Sequence, residues 1–184
     1  MTAEHHQSGT DRIAEVARKL KNIDLVINIQ GDEPFIHPTS IDNLIDVFAQ
    51  KPSAKIVTLA NEINKQEDLV NPNIVKVVFS HSFRALYFSR LAIPYIRDPK
   101  KSDRLQHYRH LGIYAFKLDS LLQLSELPPS PLEKAESLEQ LRWMEHDFPI
   151  NIALTPHIPQ AIDTPEDLEK LNKWLKLNPH LLEE

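Results

Sequence analysis

The sequence predicts an α/β fold with a largely parallel sheet. Helix and strand patterns alternate along much of the chain, which is typical of βαβ units. Short apolar runs rich in β-branched residues, such as Leu25-Val26-Ile27, have the length of buried strands. Serine and threonine caps followed by proline mark the starts of the later helices. A chain of 184 residues fits one domain or a piece of a larger one.

The first half of the chain contains two predicted helices and four predicted strands. Apolar residues at helical spacing predict the first helix over residues 10–21, and Ser8, Gly9 and Asp11 supply cap and turn residues before it. The first strand follows over residues 25–29. The other elements of this half are a helix ending at residue 49 and strands at 54–60, 74–79 and 85–88.

Residues 89–109 interrupt this alternation. They contain two prolines and a basic cluster without periodicity, so we expect a long excursion from the core that acts as a lid or an oligomer contact. A strand follows at 109–114, with His110, Gly112 and Tyr114 on one face. Ser130 begins a helix that we expect to continue to Trp143, then a strand occupies 150–154 and a last helix starts at Pro165.

The composition excludes several classes of protein. No apolar run approaches the roughly 18–20 residues of a membrane span, and no apolar signal region precedes the first helix, so we expect a cytoplasmic protein. A net charge of −5 argues against a nucleic-acid surface. The absence of cysteine excludes disulfides and thiolate metal sites. With only three glycines, the chain contains no glycine-rich phosphate loop.

The segment Gln30-Gly31-Asp32-Glu33-Pro34 carries the strongest local signal of a site. It follows a buried strand, and uncompensated carboxylates are too costly to bury, so the segment should face a cleft. Ligands of α/β sheets bind at the carboxyl ends of strands. Asp32 is a hard oxygen ligand of the kind that holds Mg²⁺. The alternative interpretation is a polar turn at a strand end.

Several other residues have two interpretations. Arg12 lies in the first turn of its helix, where the dipole disfavours a cation, so it is either a site residue or a solvated side chain. Lys76 either faces solvent or points into the cleft. Glu136, Glu139 and Gln140 lie on one side of their helix, which is by default a solvated face. Asp163 precedes a helix cap and has a sufficient structural role there.

Six blocks of the sequence stand out along the chain. They are His6-Gln7-Ser8-Gly9-Thr10-Asp11-Arg12, Asn28-Ile29-Gln30-Gly31-Asp32-Glu33-Pro34, Tyr87-Phe88-Ser89-Arg90, Arg109-His110-Leu111-Gly112-Ile113-Tyr114, Leu138-Glu139-Gln140-Leu141-Arg142 and Ile162-Asp163-Thr164-Pro165-Glu166-Asp167-Leu168. Together they resemble one family, the 3-deoxy-manno-octulosonate (Kdo) cytidylyltransferases, also called CMP-Kdo synthetases. The resemblance covers nearly the whole chain, and six blocks in the expected order are specific.

The resemblance implies a Rossmann-like nucleotide-diphospho-sugar transferase fold, with an incomplete, mostly parallel sheet and a protruding arm at about residues 89–109. It implies that the 2-hydroxyl oxygen of Kdo attacks the α-phosphorus of CTP and that pyrophosphate leaves, with Mg²⁺ neutralising charge. The product, CMP-Kdo, serves lipopolysaccharide biosynthesis. CTP and Kdo are then the small-molecule partners, and the arm implies a homodimer.

The resemblance also assigns residues to roles. Asp32 and Asp163 are expected to be the catalytic magnesium ligands. The groups expected to hold the hydroxyls and carboxylate of the sugar are Arg12, Gln30, His110, Tyr114, Glu139 and Gln140. The residues expected on the nucleotide side are Ser8, Gly9 and Thr10.

The sequence departs from the family at its start. Family members have a phosphate loop of the Pro-Ala-Arg type well before the Ser-Gly-Thr block, whereas Met1 stands five residues before His6. We therefore expect residues 1–184 to be the C-terminal portion of the domain, with strand 25–29 as an exposed sheet edge and no pyrophosphate release by this chain alone. Ala161 also replaces the usual glycine of the family.

Two other functions remain open at this point. The first is a non-catalytic fragment that binds a sugar acid or a partner, which a missing phosphate loop would allow. The second is a nucleotidyltransferase for a related sugar, such as 8-amino-Kdo or a sialic acid. The Gln-Gly-Asp-Glu-Pro block favours Kdo-type sugars over sialic acids.

Overall fold

The structure, a computed structural model, describes residues 2–3, 6, 8–31, 33, 35–98, 100, 105–158, 162 and 164–178. In the last helix it describes all side chains except those of residues 165, 167 and 170. The elements in chain order are α1 (Gly9–Ala17), β1 (Leu25–Asn28), α2 (Pro38–Gln50), β2 (Ile56–Ile63), α3 (Gln66–Val70), β3 (Lys76–Phe79), β4 (Ala85–Ser89), β5 (His107–Lys117), α4 (Leu118–Leu124), α5 (Pro131–Glu136), α6 (Glu139–Glu145), β6 (Ile150–Leu154) and α7 (Pro165–Leu177).

The described strands form one six-stranded sheet in the order β4-β3-β5-β2-β6, with β1 also paired to β5. The long strand β5 is central. One of its edges pairs with β2 along most of its length, and the other pairs first with β3 and then with β1. The α/β class is therefore confirmed.

The mostly parallel pairing is not found. Among the described strands only β2 and β6 pair in parallel, because β5 runs opposite to all three of its neighbours. A parallel neighbour needs a crossover connection, usually a helix. Residues 90–106 connect β4 to β5, and the loop of residues 80–84 joins β3 to β4 in a hairpin. It follows from the pairings that β1, β2, β3 and β6 all point the same way.

Each face of the sheet has its own apolar core. Residues of α1, α4 and α6 cover one face, where Phe88, Phe116 and Trp143 are almost completely buried. Helix α2 covers the other face, where Leu44 packs with Leu59 and neighbouring residues of β5. Burying one such side chain stabilises the fold by about 1.5–3 kcal/mol. These two cores hold the carboxyl end of β1, the middle of β5 and the start of α6 in fixed relative positions.

The predicted helix from residue 131 to Trp143 is two helices. Ser130 caps α5 with a capping box to Glu133, as predicted, but the helix ends at Ser137, whose φ of 53° is left-handed. Helix α6 then begins at Glu139. Glu136 and Glu139 were expected on one side of a single helix. They lie instead on two helices, and their carboxylates bind different residues.

Glu136 holds the start of the irregular segment. Its carboxylate accepts hydrogen bonds from the Ser89 hydroxyl at 2.8 Å and from the Arg90 backbone N–H at 2.9 Å. The Arg90 guanidinium donates in turn to the carbonyl oxygens of Glu136, at 2.6 Å, and of Ser137, at 3.3 Å. We call residues 90–106 the arm, since β4 includes Ser89 and β5 already begins at His107.

Strand β1 has β5 as its neighbour on one side and no other strand within the described residues. All four of its residues are partly exposed. The strand is thus an edge in the described part of the sheet, as expected. No helix in that part of the chain is both long and apolar enough to cross a membrane.

Candidate functional site

A small cavity lies where the first turn of α1, the end of β1, the middle of β5 and the start of α6 meet. Its volume is about 120 Å³. Typical ligand pockets measure roughly 300–1,000 Å³, so the cavity can hold only part of a sugar acid. Its wall consists of Gly9, Thr10, Asn28, Gln30, Gly112, Tyr114, Glu139, Gln140 and Trp143.

The first turn of α1 is fixed by its cap. The Ser8 hydroxyl accepts a hydrogen bond from the Asp11 N–H at 3.1 Å, as the cap prediction required. This places Thr10 inside the structure, where its hydroxyl donates to Glu139 Oε2 at 2.8 Å. The contact joins α1 to α6 across 129 residues of sequence. One wall of the cavity is therefore held by a hydrogen bond between two site residues.

Glu139 presents a second oxygen that makes no hydrogen bond. Its Oε1 is buried and lies 3.7 Å from Arg142 Nη2, beyond hydrogen-bond length. Burial raises the pKa of Glu139, although the hydrogen bond from Thr10 opposes this rise. This oxygen can accept a hydrogen bond from a ligand hydroxyl, with the Arg142 guanidinium close by.

A bulge in β5 brings His110 and Tyr114 together. The pairing register jumps from Thr58 opposite Tyr114 to Leu59 opposite Leu111, so two extra residues bulge out of β5. Four residues of a regular strand span roughly 13 Å, yet the two ring centroids are only 5.3 Å apart. The bulge therefore turns two distant positions of a strand into one surface.

Both of these rings are uncharged at neutral pH. Burial lowers the pKa of His110 to about 3. Burial, and secondarily the negative charge of Glu139, raise the pKa of Tyr114 well above its usual range. Neutral rings of this kind recognise hydroxyl groups by donating and accepting single hydrogen bonds.

Three buried polar atoms around the cavity make no hydrogen bond of good geometry within the described residues. They are the Tyr114 hydroxyl, Glu139 Oε1 and Trp143 Nε1. The Thr58 hydroxyl lies close to that of Tyr114, and Arg142 forms a longer ion pair with Glu139. More than nine in ten buried polar groups in proteins are hydrogen-bonded, so three exceptions around one cavity need a reason. A bound molecule with several hydroxyl groups would supply the missing partners.

The structure brings six of the predicted site residues into the cavity wall, namely Gly9, Thr10, Gln30, Tyr114, Glu139 and Gln140. His110 adjoins it through Tyr114. The Ser8 hydroxyl caps α1 and also lies close to Glu139, and Arg12 is exposed and makes no side-chain hydrogen bond to other described residues. Asp32, Asp163 and Ala161 lie outside the described residues, so their predicted positions are not tested.

Sequence reasoning missed three wall residues, Asn28, Gly112 and Trp143. A signal was present for each. Asn28 is the last residue of β1, and Gly112 alternates between His110 and Tyr114. Trp143 lies three residues after Gln140 on α6, where helical neighbours share a face.

The segments that follow β1 and β6 contact each other. The rings of His37 and His157 stack in parallel with centroids 3.7 Å apart. Phe35 also packs edge-on against Trp174 of α7 at 5.9 Å. His37 follows Asp32 by five residues and His157 precedes Asp163 by six. Within the described part of the chain, no group of three or more histidine and acidic side chains is placed to bind a metal ion.

Two larger cavities, of about 330 and 370 Å³, contain none of the predicted site residues. The first lies between α2 and β6 and the second at the carboxyl ends of β2 and β6. We assign the site to the smaller cavity because the unpartnered polar atoms converge there.

The chain is similar to known proteins over nearly its whole length. The cytidylyltransferase family model matches residues 1–151. The 3-deoxy-manno-octulosonate cytidylyltransferase of Polynucleobacter necessarius subsp. necessarius is 46% identical over 178 residues, which cover 95% of this chain and 70% of the relative. The protein of the same name from Fusobacterium nucleatum subsp. nucleatum is 42% identical over 178 residues, covering 97% of this chain and 71% of the relative.

A solved structure is also similar over nearly the whole chain. It is a CMP:2-keto-3-deoxy-manno-octonic acid synthetase complexed with CTP, and it superimposes with a TM-score of 0.88 at 39% identity. The superposition covers 97% of this chain and 72% of that one. The fold described above is thus shared with a synthetase whose structure contains CTP.

Proposed function

The chain belongs to the 3-deoxy-manno-octulosonate cytidylyltransferase family, and from this premise we propose that it activates Kdo with CTP, forming CMP-Kdo and pyrophosphate for lipopolysaccharide biosynthesis. In this reaction the 2-hydroxyl oxygen of the sugar bonds to the α-phosphorus while the bond to pyrophosphate breaks, and the hydroxyl proton is lost. The chemistry depends mainly on positioning two substrates and on neutralising phosphate charge. Because it consumes CTP, we propose a cytoplasmic enzyme.

The observation that carries the proposal is the set of three unpartnered polar atoms around one cavity. A polyhydroxy acid offers several hydroxyl groups at the spacing of neighbouring ring carbons, which suits donors and acceptors on several sides of a small space. The cavity is smaller than the sugar, so it would hold one end of Kdo. The other end would extend toward the exposed Arg12.

We assign each wall residue a role that its surroundings permit. Gln140, which is buried, and Gln30 offer both amide donors and acceptors to the sugar hydroxyls. Glu139 accepts through Oε1, which makes no hydrogen bond to the described residues, and Tyr114 and His110 supply neutral hydrogen-bonding groups. Arg12 would bind the sugar carboxylate, for which a planar guanidinium is suited.

Asp32 and Asp163 are the proposed ligands of one Mg²⁺ ion, which would neutralise charge on the triphosphate. The proposal is supported by the His37–His157 stack, because it joins the two segments that carry these residues. On the nucleotide side, Ser8, Gly9 and Thr10 form the first turn of α1, where backbone N–H groups lack helical partners. Thr10 also supports the sugar side through its bond to Glu139.

We further propose a homodimer formed by the arm. Two large apolar side chains of the arm, Leu91 and Tyr95, are 75% and 85% exposed. Such side chains, close together on one irregular segment, are a common feature of protein contacts.

The first test is calorimetric titration of Kdo into the 184-residue chain, with and without MgCl₂. We expect saturable binding of Kdo, because the sugar site lies within the described residues. N-acetylneuraminic acid at the same concentration serves as the negative control. Equal binding of both acids, or of neither, would contradict the assignment of the cavity to a Kdo-type sugar.

The second test is pyrophosphate release from CTP by a chimera. The chimera joins this chain to the part of the Polynucleobacter relative that lies outside the match. We expect release that requires both Mg²⁺ and Kdo, with 8-amino-Kdo as the competing substrate. A folded chimera that binds both substrates without releasing pyrophosphate would refute the proposed reaction.

The magnesium ligands are tested in the same chimera. Asp163→Asn keeps the shape of the side chain but removes its charge, so we expect turnover to fall by orders of magnitude with an unchanged melting temperature. Near-normal turnover would return Asp163 to a purely structural role.

A further inference from the structure

Thr58 lies in the middle of β2, opposite the bulge in β5, and is completely buried. Its hydroxyl group interacts with that of Tyr114, and its oxygen has three further polar neighbours. These are His110 Nε2 at 3.0 Å, the Leu111 carbonyl oxygen at 3.1 Å and the Ile113 carbonyl oxygen at 2.8 Å. No role in the reaction has been assigned to Thr58 so far.

The two carbonyl oxygens determine how this hydroxyl group is oriented. Carbonyl oxygens only accept hydrogen bonds, and a threonine hydroxyl has a single hydrogen to donate. If that hydrogen pointed to His110, both carbonyls would face the lone pairs of the hydroxyl oxygen inside the core, which is costly. The hydrogen therefore points to a carbonyl, of which Ile113 is the nearer. Toward His110 the hydroxyl offers a lone pair.

An imidazole nitrogen that faces a lone pair must carry a hydrogen. His110 Nε2 is therefore the donor to Thr58, and in the neutral ring the other nitrogen, Nδ1, is an acceptor. His110 makes no other side-chain hydrogen bond to the residues that the structure describes, so Nδ1 is left for a ligand.

We propose that Thr58 is a positioning residue of the sugar site: it fixes neutral His110 as the Nε2–H tautomer and supports the bulge that brings His110 beside Tyr114. The proposal rests on the proposed function in one respect only, namely that the ligand of this site is a sugar acid. The tautomer itself is a property of the free protein.

The bulge needs this hydroxyl for a structural reason. At the jump in register, the sheet ladder is interrupted and the carbonyls of Leu111 and Ile113, both buried, receive a side-chain hydroxyl between them. Such a hydroxyl is one way to satisfy buried acceptors where a ladder is broken. The same side chain therefore sets the shape of the bulge and the state of the ring beside it.

The fixed tautomer limits what His110 can bind. Nδ1 with a free lone pair accepts a hydrogen bond from a hydroxyl group and offers nothing to a carboxylate, which has no hydrogen to donate. We therefore assign His110 to a hydroxyl of the sugar acid, and the carboxylate belongs elsewhere in the site. The resemblance assigned His110 to either the hydroxyls or the carboxylate of the sugar, and the tautomer leaves only the hydroxyls.

The tautomer is tested by NMR of the ring nitrogens in the uniformly ¹⁵N-labelled 184-residue chain at pH 7.5. The chain has nine histidines, and the His110→Gln variant identifies the signals of His110 by their loss. We expect a protonated, pyrrole-like Nε2 and an unprotonated, pyridine-like Nδ1. The reverse pattern, or an average of the two forms, would overturn the proposal whatever the ligand of the site is.

Two variants then test whether Thr58 is the cause. Thr58→Val keeps the branched shape without the hydroxyl, and we expect the two His110 signals to move toward an average. Thr58→Ser retains the hydroxyl and should restore the wild-type pattern. Thr155→Val removes another buried threonine hydroxyl, which bonds to Ser40 and not to His110, and should leave the His110 signals unchanged.

Sugar binding is measured on the same proteins by calorimetry. Loss of one well-placed hydrogen bond predicts about tenfold weaker Kdo binding by Thr58→Val, with near-wild-type binding by Thr58→Ser. Unchanged Kdo affinity in a folded Thr58→Val protein would overturn the positioning role. If the wild type itself does not bind Kdo, the proposed function fails while the NMR result still decides the tautomer. If Thr58→Val does not fold, the wild-type spectrum and the Thr58→Ser variant decide.

Discussion

The residues of the site are held by buried hydrogen bonds that cross long stretches of sequence. Thr10 bonds to Glu139 and Thr58 to His110, so two threonines hold one group of the cavity wall and one group beside it. Local sequence patterns indicated neither bond, because each partner lies on a different element. The resemblance to a family supplied Tyr114, Glu139 and Gln140 as candidates, and the structure shows that they share a wall.

His110 makes the stability of the fold depend on pH. Its pKa is about 3 in the folded chain, against about 6.5 when unfolded, so the unfolded state binds the extra proton between these values. Stability is therefore highest above pH 6.5 and falls as the pH drops toward 3. Between pH 7.5 and 5 we expect wild type to lose about 2 kcal/mol more of its free energy of unfolding than His110→Gln does.

Urea unfolding at the two pH values measures this difference. The glutamine variant is the control, because all other titrating groups are common to both proteins. An equal loss in the two proteins would show that His110 gains its proton in the folded state as easily as in the unfolded state.

Both interpretations of Lys76 that the sequence allowed are wrong. It neither faces solvent nor points into the cleft, but is completely buried on β3. Its ammonium group donates to the carbonyl oxygens of Asn71, at 2.9 Å, of Ile74, at 2.6 Å, and of Arg90. Burial lowers the pKa of this lysine. Three acceptors match the three hydrogens of an ammonium group, so the residue ties the turn before β3 to the start of the arm.

We predict that Lys76→Met destabilises the chain by about 3 kcal/mol, because it keeps the apolar stem but leaves three carbonyl oxygens without their donor. Lys21→Met, on an exposed residue, is the control and should change the free energy of unfolding by less than about 0.5 kcal/mol. Equal urea midpoints for the two variants would contradict this account of Lys76.

At the scale of elements, periodicity and caps predicted the identity of most helices and strands. The capping box of α5 and the proline at the start of α7 were correct, since these signals are local. The short helices α3 and α4 were missed, because five and seven residues are too few to show a helical period. The break between α5 and α6 was missed as well, because serine is not a typical left-handed residue.

The break at Ser137 yields a prediction about stability. A left-handed residue with a β-carbon is strained, and glycine is not, so Ser137→Gly should stabilise the chain by about 0.5–1 kcal/mol. Lys134→Gly, in the interior of α5, is the matched control and should destabilise it by about 1 kcal/mol. Thermal unfolding shows whether each variant gains or loses stability. A loss of stability in Ser137→Gly would argue against a strained cap.

At the scale of the whole molecule, the α/β class could be predicted and the arrangement of its sheet could not. Alternating patterns identify strands but carry no information on their direction, which depends on the connections between them. The direction of β5 follows the arm, whose sequence lacks any periodic signal. For the same reason the convergence of His110 and Tyr114 was unpredictable, since it depends on a bulge that only pairing with β2 reveals.

We predict that the chain forms a dimer through the arm. Replacing Leu91 and Tyr95 by aspartate places two charges on an apolar contact, so sedimentation velocity should show a monomer where the wild type is a dimer. Leu20→Asp, on an exposed apolar residue away from the arm, is the control and should remain dimeric. A monomeric wild type at micromolar concentration would contradict the proposal.

The network around Arg90 has a consequence for protein engineering. The arm begins at the residue whose guanidinium supports the end of α5, and Glu139 follows that end by three residues. A shortened chain made without the arm would therefore lose more than its capacity to associate. It would need another donor to the carbonyl oxygens of Glu136 and Ser137. Without one, we expect the first turn of α6 to shift and to move Glu139 away from the proposed sugar site.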